Sequence, residues 1–153
     1  MSELERLISE KILILDGATG TALQKMSLTA ADFGGPALEG CNENLVLTKP
    51  AAISAVHESY LKAGADIIET NSFGSTPIVL AEYGLADKAS DISRASARLA
   101  KEMAARYATP NKPRFVAGSV GPTTKSLSLT GGATFDQLVD NFRIQGIGLL
   151  EGG

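Results

Sequence analysis

The sequence has no tryptophan, one cysteine, one histidine and no excess of positive charge. Each shortage closes off a class of function. Aromatic residues make up only 5%, too few for the stacking platforms that bind single-stranded nucleic acid. Lys and Arg number 14 against 17 Asp and Glu, a net charge of −3 with no electrostatic footprint for nucleic acid or an anionic membrane. A lone cysteine, Cys41, excludes an internal disulfide and fits a reducing compartment. Cys41 and His57 together cannot make a Cys-rich zinc site. No run approaches the ~20 apolar residues of a membrane span, and the opening MSELERLISEK is too charged for a secretory signal. The expectation is a cytoplasmic protein with no nucleic-acid or membrane partner. What is present is ordinary for one globular domain: 153 residues, 44% hydrophobic and 20% charged.

Along the chain, Ser2-Glu-Leu-Glu5 reads as a capping box that opens a short helix with Leu4, Leu7 and Ile8 inward. The unbroken apolar run Ile12–Leu15 predicts a first strand buried on both faces, as in a parallel sheet. Residues 27–47 carry Gly34-Gly35-Pro36, Gly40, Asn42 and Asn44 and read as irregular. Pro50 starts a helix with Ile53, Val56, Tyr60 and Leu61 on its apolar face, ended by Ala63-Gly64. A second strand is predicted at Asp66–Glu69, a short helix near Pro77–Tyr83 and a long one over Asp87–Tyr107. Arg114–Ala117 reads as a third strand, and Thr134-Phe-Asp-Gln137 as a second capping box opening a last helix. Strand, helix, strand, helix, strand, helix argues for parallel βαβ units with right-handed crossovers. The fold class expected is α/β, as the first part, about three βα units, of a (β/α)₈ barrel. The chain, residues 1–153, is then a single partial domain.

Each predicted strand runs into small and polar residues at its C-terminal end: Asp16-Gly17-Ala-Thr-Gly20, Thr70-Asn71-Ser72, and Gly118-Ser119-Val-Gly121-Pro-Thr-Thr124. Parallel α/β folds build their sites there. Gly17-Ala-Thr-Gly20 is no dinucleotide fingerprint, and no Walker lysine follows it. Asp16 argues against a phosphate, since a carboxylate beside a phosphate is repelled. Two readings of Asp16 stand: it caps a short helix at 18–25, or it receives the ammonium group of a zwitterion. Ordinary loop chemistry competes with a binding role at each of the other two strand ends. Glu69 is a further acid at the end of the second strand. His57, mid-helix beside an apolar face, reads as structural, and Cys41 as an inert loop thiol.

The segments ILILDGATGTALQ, LTKP…VHESYLKAGADIIETNSFGS and FVAGSVGPTTKSLSLTGGATFDQLVDNFRIQGIGLLEGG resemble the homocysteine-binding barrel of the homocysteine S-methyltransferase family. The GPTTKSLSL block is nearer to the cobalamin-dependent branch than to the betaine-dependent one. The resemblance implies an N-terminal portion of that barrel. It also implies methyl transfer from methylcobalamin to a zinc-activated homocysteine thiolate, giving methionine. Zinc and cobalamin would belong to the intact parent, together with cobalamin- and folate-binding modules. Asp16 and Gly17 match the family's Asp-Gly motif for the amino-acid end of homocysteine, and Thr70 matches a threonine at the second strand end. The family's zinc cysteines sit on later strands and have no counterpart here. No catalytic and no metal-ligating residue is therefore assigned, and the chain alone is expected to be inactive. The alternatives are a betaine- or S-methylmethionine-dependent relative, and a non-catalytic α/β module that binds an amino acid or self-associates through open strand edges.

Overall fold

The structure is a computed structural model that describes residues 2–127 and 132–153. Ser128 and Leu129 of the GPTTKSLSL block lie outside the described residues. In chain order the helices and strands are α1 (Glu3–Glu10), α2 (Thr19–Gln24), α3 (Ala30–Phe33), α4 (Leu45–Thr48), α5 (Pro50–Ala63), β1 (Ile67–Glu69), α6 (Pro77–Leu80), α7 (Ala89–Tyr107), β2 (Phe115–Ala117) and α8 (Phe135–Gly152). Short 3₁₀ turns join several of them.

The local signals act as local chemistry requires. Ser2 caps α1 reciprocally: its backbone N–H donates to Glu5 Oε2 at 2.7 Å, and its hydroxyl accepts from the Glu5 N–H at 3.2 Å. Thr134 and Gln137 do the same for α8. Pro50 occupies the first turn of α5, where its missing N–H costs nothing. Gly64 ends that helix at φ 111°, a left-handed conformation that glycine adopts without a Cβ clash. Residues 27–47 are more ordered than expected, because α3 opens with its own capping box, Thr29 and Asp32.

β1 and β2 pair in parallel with Ile67 opposite Phe115, Ile68 opposite Val116 and Glu69 opposite Ala117. The expected first strand is reduced to a parallel bridge between Leu15 and Ile67. Its neighbours still dock: the Asp16 N–H donates to Ile67 O at 2.9 Å, and the Asp66 N–H to Ile14 O at 2.8 Å. The Asp66 carboxylate takes the Ile14 N–H, turning the ladder into a side-chain contact at that point. The expected burial on both faces is absent, with Ile12 87%, Ile14 56% and Leu15 47% exposed, because no described element packs over their outer side. Ile8 also points outward, leaving Leu7 as the buried residue of α1.

The core lies on the other side of the sheet. One cluster joins Leu23, Phe33, Leu45, Ile53, Val56, Leu80 and Ile92. A second, around Ile68, holds Leu61, Ala65, Ala100, Met103 and Ala104. α8 lies so close to α7 that a Cβ on Gly148 would sit 2.7 Å from the Ser90 carbonyl oxygen and 2.9 Å from Ser93 Cβ. That approach brings the buried Gln145 of α8 beneath the loops that follow β1 and β2. No helix among the described residues is long and apolar enough to cross a membrane.

Candidate functional site

The ends of residues 12–15, β1 and β2 meet at one cleft of about 440 Å³. Gly17–Gly20 form one wall, Glu69, Thr70, Asn71 and Phe73 the second, and Ser119 the third. Asn42 and Glu43, from the turn before α4, complete it.

Asp16 does not cap α2. Ala18 holds the cap position and no side chain caps it. The Asp16 carboxylate instead turns across the sheet, where its Oδ1 accepts the Glu69 backbone N–H at 3.1 Å. This contact spans 53 residues of sequence and ties the first strand end to the second. Burial raises the Asp16 pKa to about 6, opposed by the hydrogen bond from the Glu69 N–H and assisted by the negative charge of the Glu69 side chain. Such a carboxyl gains from a cation placed beside it, because the cation offsets both burial and the repulsion from Glu69. Among the described residues that line the cleft there is no Lys, Arg or His to supply one.

Gly17 faces the ring of Tyr60: a Cβ there would stand 3.4 Å from the phenol oxygen, so the position is tight though open to small change. Tyr60 itself donates to Ala18 O at 3.4 Å, holding the Asp-Gly loop against α5. Thr70 lines the cleft, but its hydroxyl is engaged in the floor. Ser72 Oγ gives its proton to Ser119 O at 2.8 Å, so Thr70 Oγ1, 2.6 Å from Ser72 Oγ, must be the donor of that pair. Thr70 Oγ1 also accepts the Ser119 N–H at 2.9 Å. One lone pair therefore remains on Thr70 for anything bound above it.

The sequence reading placed Asp16, Gly17, Thr70 and Glu69 at strand ends; Gly17, Thr70 and Glu69 line the cleft, while Asp16 is not among its lining residues and is tied to its rim through the Glu69 N–H. It missed Asn42, Glu43 and Phe73. Glu43 Oε1 accepts the Gly74 N–H at 2.9 Å, and Asn71 Nδ2 donates to Asn42 O at 2.8 Å. Phe73 packs so tightly on Gly121 that a Cβ there would lie 2.6 Å from the ring. Asn42 and Asn44 were visible as polar punctuation, but the docking of residues 42–43 at residues 71–74 is a long-range contact without a local signature. Of the third loop, Ser119 reaches the cleft, whereas the Thr123 hydroxyl turns to the carbonyl of Lys125 in its own loop.

The two residues with metal-binding side chains of low abundance are withdrawn. Cys41 is buried, and burial pushes its thiol up to about 11, so it is held as the thiol rather than the thiolate a metal takes. His57 is buried in the core, and burial holds it down near 4, neutral, with both ring nitrogens lacking a hydrogen-bond partner among the described residues. No three His, Cys, Asp or Glu side chains among the described residues come together in a way that could hold an ion. The donor set present does not fit zinc.

Parallel strands whose C-terminal ends enclose an acidic cleft define an α/β fold with its candidate site at the conventional edge of the sheet. Residues 13–153 match the homocysteine S-methyltransferase family, and the chain belongs to it. It is 38% identical over 152 residues to the methionine synthase of Mycobacterium tuberculosis and 39% identical to that of Mycobacterium leprae. In both cases 99% of this chain is aligned but only 12% of the relative, so the chain spans about an eighth of their length. The fold is similar to that of the homocysteine methyltransferase MmuM from Escherichia coli. The metallated form matches with a TM-score of 0.77 at 25% identity, over 98% of this chain and 54% of that one. The oxidised form matches with a TM-score of 0.78 at 26% identity, over all of this chain and 54% of that one.

Proposed function

We propose that this chain is the amino-acid-holding part of a homocysteine S-methyltransferase of the methionine synthase type, and that residues 1–153 are the N-terminal portion of its homocysteine-binding (β/α)₈ barrel. Asp16 carries the proposal. It is a half-buried carboxylate at the joint of the strand ends, next to Gly17 and held by the Glu69 N–H at the rim of an acidic cleft that no cation lines among the described residues, in a chain of this family. In this reading the ammonium group of homocysteine settles beside Asp16, and Gly17 leaves room for it next to Tyr60. Thr70 offers its remaining lone pair from the floor. The bound ammonium holds Asp16 ionised, so its pKa falls on binding.

The reaction assigned to the intact protein is methyl transfer from methylcobalamin to the homocysteine sulfur, in the cytoplasm. Zinc there would make that sulfur a thiolate at neutral pH. The part proposed for this chain's own residues is to bind and orient the amino-acid end of the substrate. Its higher sequence identity to the two methionine synthases than to MmuM favours the cobalamin-dependent branch over other methyl donors. Folate- and cobalamin-binding modules are then its partners.

Calorimetric titration of L-homocysteine against the 153-residue chain tests this. Binding is expected to tighten from pH 5 to pH 7 as Asp16 ionises, and to weaken at least tenfold in Asp16→Asn. Equal binding by both chains, or tight zinc uptake together with the thiol, would sink the assignment. The exposed Ile12, Ile14 and Leu15 favour a second reading, a module that self-associates along that edge. Light scattering decides it, because a clean monomer at high concentration removes that reading.

A further inference from the structure

We infer that Gln145 of α8 is a positioning residue for the cleft, a reading that rests on the function proposed above. It is fully buried and lies 73 residues along the chain from Ser72. Its Nε2 donates to Ser72 O at 2.6 Å and stands 3.3 Å from Ser75 Oγ and 3.5 Å from Ser119 O. Ser72 and Ser119 belong to different loops, one after β1 and one after β2. The amide is thus a two-pronged donor between the two strand ends.

The orientation of that amide follows from its neighbours. Ser72 O and Ser119 O can only accept, so the nitrogen must face them and the oxygen must face away. Gln145 Oε1 is then left buried without a hydrogen-bond partner among the described residues. An apolar side chain of similar length would fill the same space and leave no acceptor unanswered. What the amide adds is a further link between loops already joined by the Gly121 N–H on Phe73 O at 2.9 Å. Ser72 Oγ reinforces it by donating to Ser119 O, and Ser119 in turn aims its N–H at Thr70 Oγ1. The chain of contacts therefore runs from Gln145 through Ser72 and Ser119 to Thr70, the residue at the cleft floor. Ser72 and Ser119 hold the free lone pair of Thr70 directly, and through them α8 contributes to its orientation.

Amide hydrogen exchange on the full chain tests this without any ligand. Ser119 N–H reports the link, and Ala100 N–H, mid-way along α7, reports global stability. In Gln145→Met, protection at Ser119 should fall at least tenfold more than at Ala100. A merely structural role would lower both by the same factor, and that result overturns the inference. Gln145→Asn keeps an amide but withdraws it by one methylene. It should show the same differential loss, and equal changes at the two amides overturn the inference there also. Titration of L-homocysteine supplies the second readout: the Kd should rise at least threefold in either variant, and an unchanged Kd with a loosened Ser119 removes the role in the cleft. If the parent chain binds no homocysteine, the proposed function fails, while the exchange difference still decides whether Gln145 holds the loops.

Discussion

Asp16 at the strand ends and His57 in the helix-packed core are both withdrawn from water, and burial moves them in opposite directions. Asp16 rises to about 6 and His57 falls to about 4. The physical rule is one and the same, since low dielectric disfavours the charged form of either group. Their surroundings differ in kind. Asp16 is only partly covered, has a backbone donor at 3.1 Å, and adjoins Gly17, which lines an open cleft. His57 has closed apolar packing and no partner at either nitrogen among the described residues. A buried titratable group that faces space can be answered by a ligand, whereas one sealed in the core can only remain neutral.

The two groups also work against each other in folding. Between pH 4 and 6.5 the unfolded chain binds a proton at His57 that the folded one refuses, so this contribution to stability is complete above 6.5 and lost as pH falls towards 4. Between 3.8 and about 6 the folded chain keeps a proton on Asp16 that the unfolded chain has released, so that contribution is present at low pH and lost as pH rises. Across pH 4–6 the slopes oppose and partly cancel. Asp32, held down near 2 chiefly by its hydrogen bond from the Lys49 ammonium, acts at lower pH and does not disturb the window.

The largest expected effect breaks the core side of the comparison directly. Ile53→Ala, at a position with no exposure, should cost about 3 kcal/mol in urea unfolding at pH 7. A loss under 1 kcal/mol would show that this side is not the tightly packed one. Next, His57→Leu should abolish the acid loss attached to His57, worth roughly 3 kcal/mol for a displacement from 6.5 to about 4. Stability of that variant should then fall, not rise, between pH 4 and 6, as Asp16 dictates. An unchanged profile would mean that His57 is protonated in the fold. Asp16→Asn should do the reverse, leaving a steeper rise with pH over the same window. It should also weaken homocysteine by at least tenfold, or ~1.4 kcal/mol. The smallest effect sharpens the cleft side: Glu69→Gln should lower the Asp16 pKa, by less than burial raises it, because burial is the larger cause. Carbon-detected titration of the Asp16 carboxyl reads this, and a rise would reverse the assigned sign.

Much of this was legible from residues near one another in the chain. The capping boxes at Ser2 and Thr134, the proline start of α5 and its glycine end all close hydrogen bonds within a few residues, so sequence displays both partners. The polar strand ends at Asp16, Thr70 and Ser119 were legible for the same reason, each following its own apolar run. The first strand was misjudged because Ile12–Leu15 shows what could be buried, while burial depends on what packs over it. Glu43 and Phe73 went unseen because their place in the cleft depends on docking between residues 42–43 and 71–74.

The sequence by itself determined the order of the longer helices and of β1 and β2, the caps of α1, α5 and α8, and the acid and glycine that follow Ile12–Leu15. These depend on dihedral preference, periodicity and hydrogen bonds a few residues long. Tertiary structure alone decided that Asp16 reaches Glu69 rather than capping α2, that its proton is held to about pH 6, and that an amide from α8 joins two strand ends. Each of these is fixed by partners 26 to 73 residues away and by how much water the intervening chain removes.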